Sequence, residues 1–376
     1  MQGREEESLD VFEWYLGAPQ RAGTRRSDAG QHFSRLPARL SLFFNQTALA
    51  YGVLPDGLAI WVYDDRGVSA KWIPKSPQEL QDLAANFYAQ CSDPHSELSA
   101  LRRDARSLYG ALIAPVEEHL APERTLVIEA DGWLARVPFE ALLDSNNRYL
   151  IERAAIVHSL GQDSETRLHG GIGISADLPA LVVGSTASSQ ADGLIPIPDI
   201  AAEASAVAGD FHSARVLKGR EATLNALRSE IPNAAIFHFA GHALAAPQRT
   251  GLLLEGGDGK TNTLHLMDAN VVRRLDLQSL QLAVLSACST ASAGGDSTGF
   301  ESVTDALLRA GVPHVVASRW AVDSRETRGF IADFYRNALS GLTVSDAVRL
   351  ASRNMLASPR TSHPYYWAAF AAYGRP

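Results

Sequence analysis

A chain of 376 residues with 46% hydrophobic and 20% charged content suits a soluble globular protein of two ordinary domains or one elaborated one. Its formal net charge of −8 gives no basic field for nucleic acid, and no apolar run approaches the roughly 20 residues of a membrane span. The start, Met1-Gln2-Gly3-Arg4-Glu5-Glu6-Glu7, lacks a signal-peptide stretch, and two cysteines, Cys91 and Cys288, argue against a disulfide scaffold or structural zinc and point to a reducing cytoplasm.

Residues 1–37 are polar and without a sustained period, and read as a tail or linker. The first folded half, residues 38–161, opens with two strand-like runs, Thr47–Val53 and Leu58–Tyr63. Pro55-Asp56-Gly57 between them is hairpin chemistry. A third strand is expected at about Val68–Ile73, then helices at about Pro77–Gln90 and Glu97–Leu120. The second helix carries Leu98, Leu101, Ala105, Leu108, Leu112 and Val116 at helical spacing. Leu126–Glu129 and Leu134–Val137 flank Ala130-Asp131-Gly132, a second hairpin signal, and the strand-like runs Tyr149–Glu152 and Ala154–Val157 close this half.

Residues 162–179 read as a linker. From 180 to 376 strands and helices alternate, which implies a mostly parallel sheet. Strands are expected at Ala180–Gly184, Ala214–Leu217, Ala234–Phe239, Leu282–Ser286 and His314–Ser318. Helices are expected at about Ile200–Gly209, Thr223–Ser229, Gly299–Ala310, Ser324–Leu339 and Thr343–Ala357, with Gly251–Leu254 as a short inserted strand.

Chemistry concentrates just past two of these strands. His242 follows the apolar run ending at Phe239, and Cys288 follows the run ending at Ser286. The carboxyl ends of neighbouring strands in an open sheet share one crevice, where such folds place their sites. A thiol and an imidazole there read as a nucleophile and its base. Ser286-Ala287-Cys288-Ser289-Thr290 opens a run of small residues with free amides and little steric cover, and Gly241 loosens the turn before His242. His238 and His242 are four apart, but on a strand that is about 13 Å, so a shared metal is not expected. His238 reads as a buried histidine supporting its strand. Gly184-Ser185-Thr186-Ala187-Ser188-Ser189 lacks the lysine of a phosphate loop, so no nucleotide or other cofactor is expected. Cys91 ends a helix with no paired signal.

Several motifs resemble those of CHAT-domain peptidases, caspase- and separase-like cysteine proteases of the clan that also holds gingipains. They are Leu134–Leu142, Phe237–Ala243, Leu285–Thr290, Glu301, Ala310–Asp323 and His363–Phe370, in the family's order over roughly residues 40–376. The resemblance implies a caspase-like (caspase-haemoglobinase) α/β fold with an open, mostly parallel sheet, preceded by a degenerate caspase-like (pseudo-caspase) subdomain that buttresses the active half. It implies a His242/Cys288 dyad cleaving protein or peptide substrates through a thioester. It places the oxyanion donors on the backbone amides of Cys288 and Ala243, and substrate contacts at Ser318, Arg319, Trp320 and Asp323. Three departures stand out: Arg319 replaces the family's usual leucine, Ala243 a common glycine and Ser324 a second acidic residue.

Arg319 in the pocket would favour an acidic P1 residue, Asp323 there a basic one, and neither an apolar one. A sensor or tetratricopeptide-repeat partner region, and a role in bacterial defence with a gasdermin-like pore former as substrate, are carried by the resemblance alone. The competing reading is a catalytically idle CHAT-like interaction module.

Overall fold

A computed structural model describes residues 5, 8–9, 40, 43–130, 132–160, 173–187, 197, 199–246, 249–256, 264–287, 302–322 and 324–374. The chain divides into two compact units, Met1–Leu168 and His169–Arg375.

In the first unit, β1 (Gln46–Leu54), β2 (Gly57–Asp64) and β3 (Gly67–Ile73) form an antiparallel meander, and the Pro55-Asp56-Gly57 turn places Leu54 opposite Gly57. α1 (Pro77–Cys91) and α2 (Leu98–Leu112) follow, then β4 (Thr125–Glu129), α3 (Leu150–Arg153) and β5 (Ile156–Ser159). β4 lies parallel to both β1 and β5, so the strand order is β3-β2-β1-β4-β5. The helical spacing seen through Val116 continues past Leu112 as a 3-10 segment, Ala114–His119, because Pro115 cannot extend the α-helix.

Two expected strands are not strands. Gly132–Arg136 is a 3-10 helix that buries Leu134, and Val137, three residues on and just past its end, is buried too. Tyr149–Glu152 turns into α3, where the Glu152 carboxylate accepts the Tyr149 N–H at 2.7 Å. Within the stretch read as a tail, Leu9 is fully buried against the face that holds Trp61, Tyr63 and Val68, and Trp61 Nε1 donates to Ser8 Oγ at 2.8 Å.

The second unit alternates as expected. β6 (Ala180–Gly184), α4 (Ile200–Gly209), β7 (Ala214–Lys218), α5 (Leu224–Glu230) and β8 (Ile236–Gly241) come first. A three-stranded antiparallel insert follows: β9 (Ala243–Ala246), β10 (Arg249–Leu254) and β11 (His265–Met267). Then come α6 (Ala269–Val272), β12 (Leu282–Ala287), α7 (Val303–Arg309), β13 (His314–Ser318), α8 (Ser324–Leu339), α9 (Val344–Ala357), α10 (Pro364–Trp367) and β14 (Phe370–Gly374). The strand order is β14-β13-β12-β8-β6-β7, parallel throughout except for β14.

β8 and β12 are buried at every position, as strands covered on both faces must be. One face sends Phe237, Phe239, Ala283 and Leu285 into a core with Leu227 of α5, Val272 of α6 and Leu307 of α7. The opposite face carries His238, which meets Glu203 of α4 and Tyr335 of α8. No described helix is long and apolar enough to cross a membrane.

Candidate active site

The register of β8 against β12 sets the site. Ala287, the last residue of β12, pairs with Gly241, the last residue of β8. The residues that follow them in sequence are Cys288 and His242. Cys288, Asp323 and Glu301 lie outside the described residues. His242 is buried, 6% exposed, and its carbonyl accepts Leu253 N–H of β10 at 2.9 Å, which anchors the β8–β9 corner to the insert. Ala243 is the first residue of β9, opposite Leu252.

Gly241 does not serve a turn: it is a paired strand residue, and its φ is not positive. A Cβ there would lie 3.0 Å from the Phe239 ring and 3.0 Å from the Ser185 carbonyl, so close approach of β6 and β8 is what requires glycine.

An open crevice lies at the carboxyl ends of these strands. Ala240, Gly241, Ser286, Ala287, Ser318 and Trp320 form its strand-end wall, and the first turns of α4 and α8 form the other side. Ser318, at the end of β13, is 3% exposed, and its hydroxyl donates to the Ala287 carbonyl. That bond fixes the peptide plane leading into residue 288.

Trp320 is 4% exposed, and its indole N–H donates to the Tyr365 carbonyl at 2.9 Å. Arg319 does not line the crevice. It is 2% exposed, its guanidinium donates to the Ala368 carbonyl at 3.0 Å, and its N–H donates to the Ala369 carbonyl at 2.8 Å.

Behind the crevice lies a polar cluster that sequence reading missed. His238 is fully buried, with Nε2 3.2 Å from Glu203 Oε1 and Nδ1 3.3 Å from the Tyr335 hydroxyl. Burial, with the Glu203 and Asp210 charges adding to it, holds the Tyr335 hydroxyl well above the usual tyrosine range. The ring is thus held from both sides, by the Glu203 carboxylate and the Tyr335 hydroxyl. The only hint in the sequence is a glutamate one turn into an otherwise apolar helix, Ile-Ala-Ala-Glu-Ala, opposite a strand histidine.

The CHAT domain family matches residues 102–375. The chain belongs to the CHAT-domain family. Human tetratricopeptide repeat protein 28 is 27% identical over 359 residues, a match taking in 80% of this CHAT chain and 14% of that protein. The chain thus spans a small part of the length of that relative. Two crystal structures of the Saccharomyces cerevisiae separase–securin complex share the fold. One superposes with a TM-score of 0.61 at 11% identity, the other with 0.56 at 10%. Each match covers 93% of this CHAT chain and 31% of the matched chain. The architecture is that of the caspase-like proteases: mixed α/β with a mostly parallel sheet flanked by helices.

Proposed function

We propose that this CHAT protein is a cysteine endopeptidase in which Cys288 is the nucleophile and His242 its base and acid. The observation that carries the reading is the pairing of Ala287 with Gly241 at the wall of the crevice, which starts residues 288 and 242 from adjacent strand ends. In this reading Cys288 Sγ attacks the scissile carbonyl carbon, and a carbon–sulfur bond forms. His242 takes the thiol proton and passes it to the amine as the carbon–nitrogen bond breaks. Water then hydrolyses the thioester, with the same histidine relaying the proton.

In this reading the backbone N–H groups of Cys288 and Ala243 supply the oxyanion donors. Ser318 supports this by fixing the carbonyl of the peptide that carries the Cys288 N–H. Ser318 and Trp320 line the crevice where the substrate would sit, whereas Arg319 braces the segment leading into β14. No metal or other cofactor enters any step. The proposed setting is cytoplasmic, with control by a repeat or sensor region; the repeat-protein relative supports the latter. A gasdermin-like substrate in bacterial defence is suggested by family likeness alone.

The test is labelling by an electrophilic peptide probe, together with turnover of a peptide library. Cys288→Ala should lose both, and His242→Ala should lose turnover. Turnover within a few-fold of the parent protein in either variant would refute the dyad. No labelling of the parent would instead support the idle module.

A further inference from the structure

Three P1 classes remain open on sequence alone, and the lining of the crevice separates them. Arg319, the residue that would select an acid, is buried with its guanidinium on the Ala368 carbonyl and is not in the wall. Among the described residues that line the crevice there is no lysine, arginine or histidine, but there are two carboxylates, Asp199 and Glu203.

They differ in setting. Asp199 stands at the mouth, 46% exposed, with Arg328 3.7 Å away. Glu203 is 6% exposed, and His238 holds one of its oxygens from behind at 3.2 Å. His238 is in turn held by Tyr335. A carboxylate fixed from the rear, in the wall of a crevice and shielded from bulk water, is arranged to receive a cation. Ser286 and Ser318 add hydroxyls, and Trp320 and Phe370 add apolar surface for the stem of a long side chain.

We propose that the crevice takes a lysine or arginine side chain of the substrate and that Glu203 is the residue that reads it. The proposal rests on the peptidase reading for calling that side chain P1. The acidic preference is set aside by the position of Arg319, and the apolar one by a carboxylate in the wall that an apolar side chain would cut off from water.

The test compares peptides identical except for arginine or citrulline, which have nearly the same shape but differ in charge. Affinity is measured on the Cys288→Ala protein, and kcat/KM on the parent. Arginine should be favoured by roughly tenfold or more in both. Glu203→Gln keeps the volume and should bring the ratio close to one, whereas Asp199→Asn should leave most of it. Equal affinity for the two peptides would overturn the proposal without reference to any variant, and so would a ratio lost in Asp199→Asn but kept in Glu203→Gln. If the parent cleaves nothing yet arginine still binds preferentially, the peptidase reading fails and the cation site stands.

Discussion

His238 lies within β8 and His242 directly follows its last residue, and their surroundings give them different work. His238 is closed between Glu203 and Tyr335, so removing it leaves a buried carboxylate and a buried hydroxyl without that partner. His238→Ala should lower stability by about 2–5 kcal/mol, read by urea denaturation, since each orphaned group costs about 1–3 kcal/mol. Turnover per folded molecule should fall far less than in His242→Ala. Ser318 is a positioning residue on the proposed mechanism. Ser318→Ala should lower kcat roughly ten- to hundredfold with little change in KM, a fraction of what loss of a whole oxyanion donor costs. Ser318→Thr should restore part of it, and a change confined to KM would refute the role. Gly241→Ala should cost about 1–3 kcal/mol through contact with Phe239 and Ser185. The histidine and cysteine motifs were legible because each directly follows a run of apolar β-formers. The Glu203–His238–Tyr335 cluster was not, because its members come from three distant segments that only the packing of α4 and α8 on β8 brings together.

At the scale of elements, period and apolar runs located the second unit closely. β6, β13, α4 and α8 begin and end where the sequence placed them. Each of these strands is a short apolar run buried on both faces, and helix caps mark several boundaries. Thr343 Oγ1, for example, accepts the Asp346 N–H at 3.1 Å at the start of α9. The failures in the first unit have one cause. Leu134–Val137 and Tyr149–Glu152 are runs too short for alternation to be distinguished from a single helical turn; buried positions three apart decide for the turn in the first, and the Glu152 carboxylate on the Tyr149 N–H in the second. Arg319 was misleading for a different reason, since charge suggested solvent or substrate and the fold uses it inside. Its bond to Ala368 ties the end of β13 to the start of β14, so Arg319→Leu should destabilise the protein by about 1–3 kcal/mol in denaturant. The ratio of kcat/KM between Asp and Leu P1 peptides should stay unchanged, and a shift in that ratio would return Arg319 to the substrate.

Across the whole molecule the two units carry acids with opposite responses to pH, Asp64 buried and Asp210 exposed at the end of α4. In the first unit, burial alone would raise the Asp64 carboxyl. Hydrogen bonds from Arg66 and Thr47 outweigh it and hold the group below the usual aspartate range. Asp64 also lies 3.4 Å from Arg124, so it joins β1, β2 and the segment leading into β4. A depressed acid contributes stability that is complete above the unfolded aspartate range and is lost as pH falls through the folded value. In the second unit, partial desolvation of the exposed Asp210 raises its carboxyl, and the nearby Arg336 offsets only part of this. A raised acid carries a penalty at neutral pH that protonation relieves as pH falls. Acidification therefore removes a support from the first unit while lifting a penalty from the second. As pH is lowered from 7 to about 3, amide protection relative to the intrinsic exchange rate at each pH should fall more in β1–β3 than in β8, β12 and β13. Asp64→Asn should lower the stability of the first unit at neutral pH and flatten its acid dependence. Protection that falls equally in both units, or that keeps its full pH dependence in Asp64→Asn, would show that other carboxylates govern the acid response.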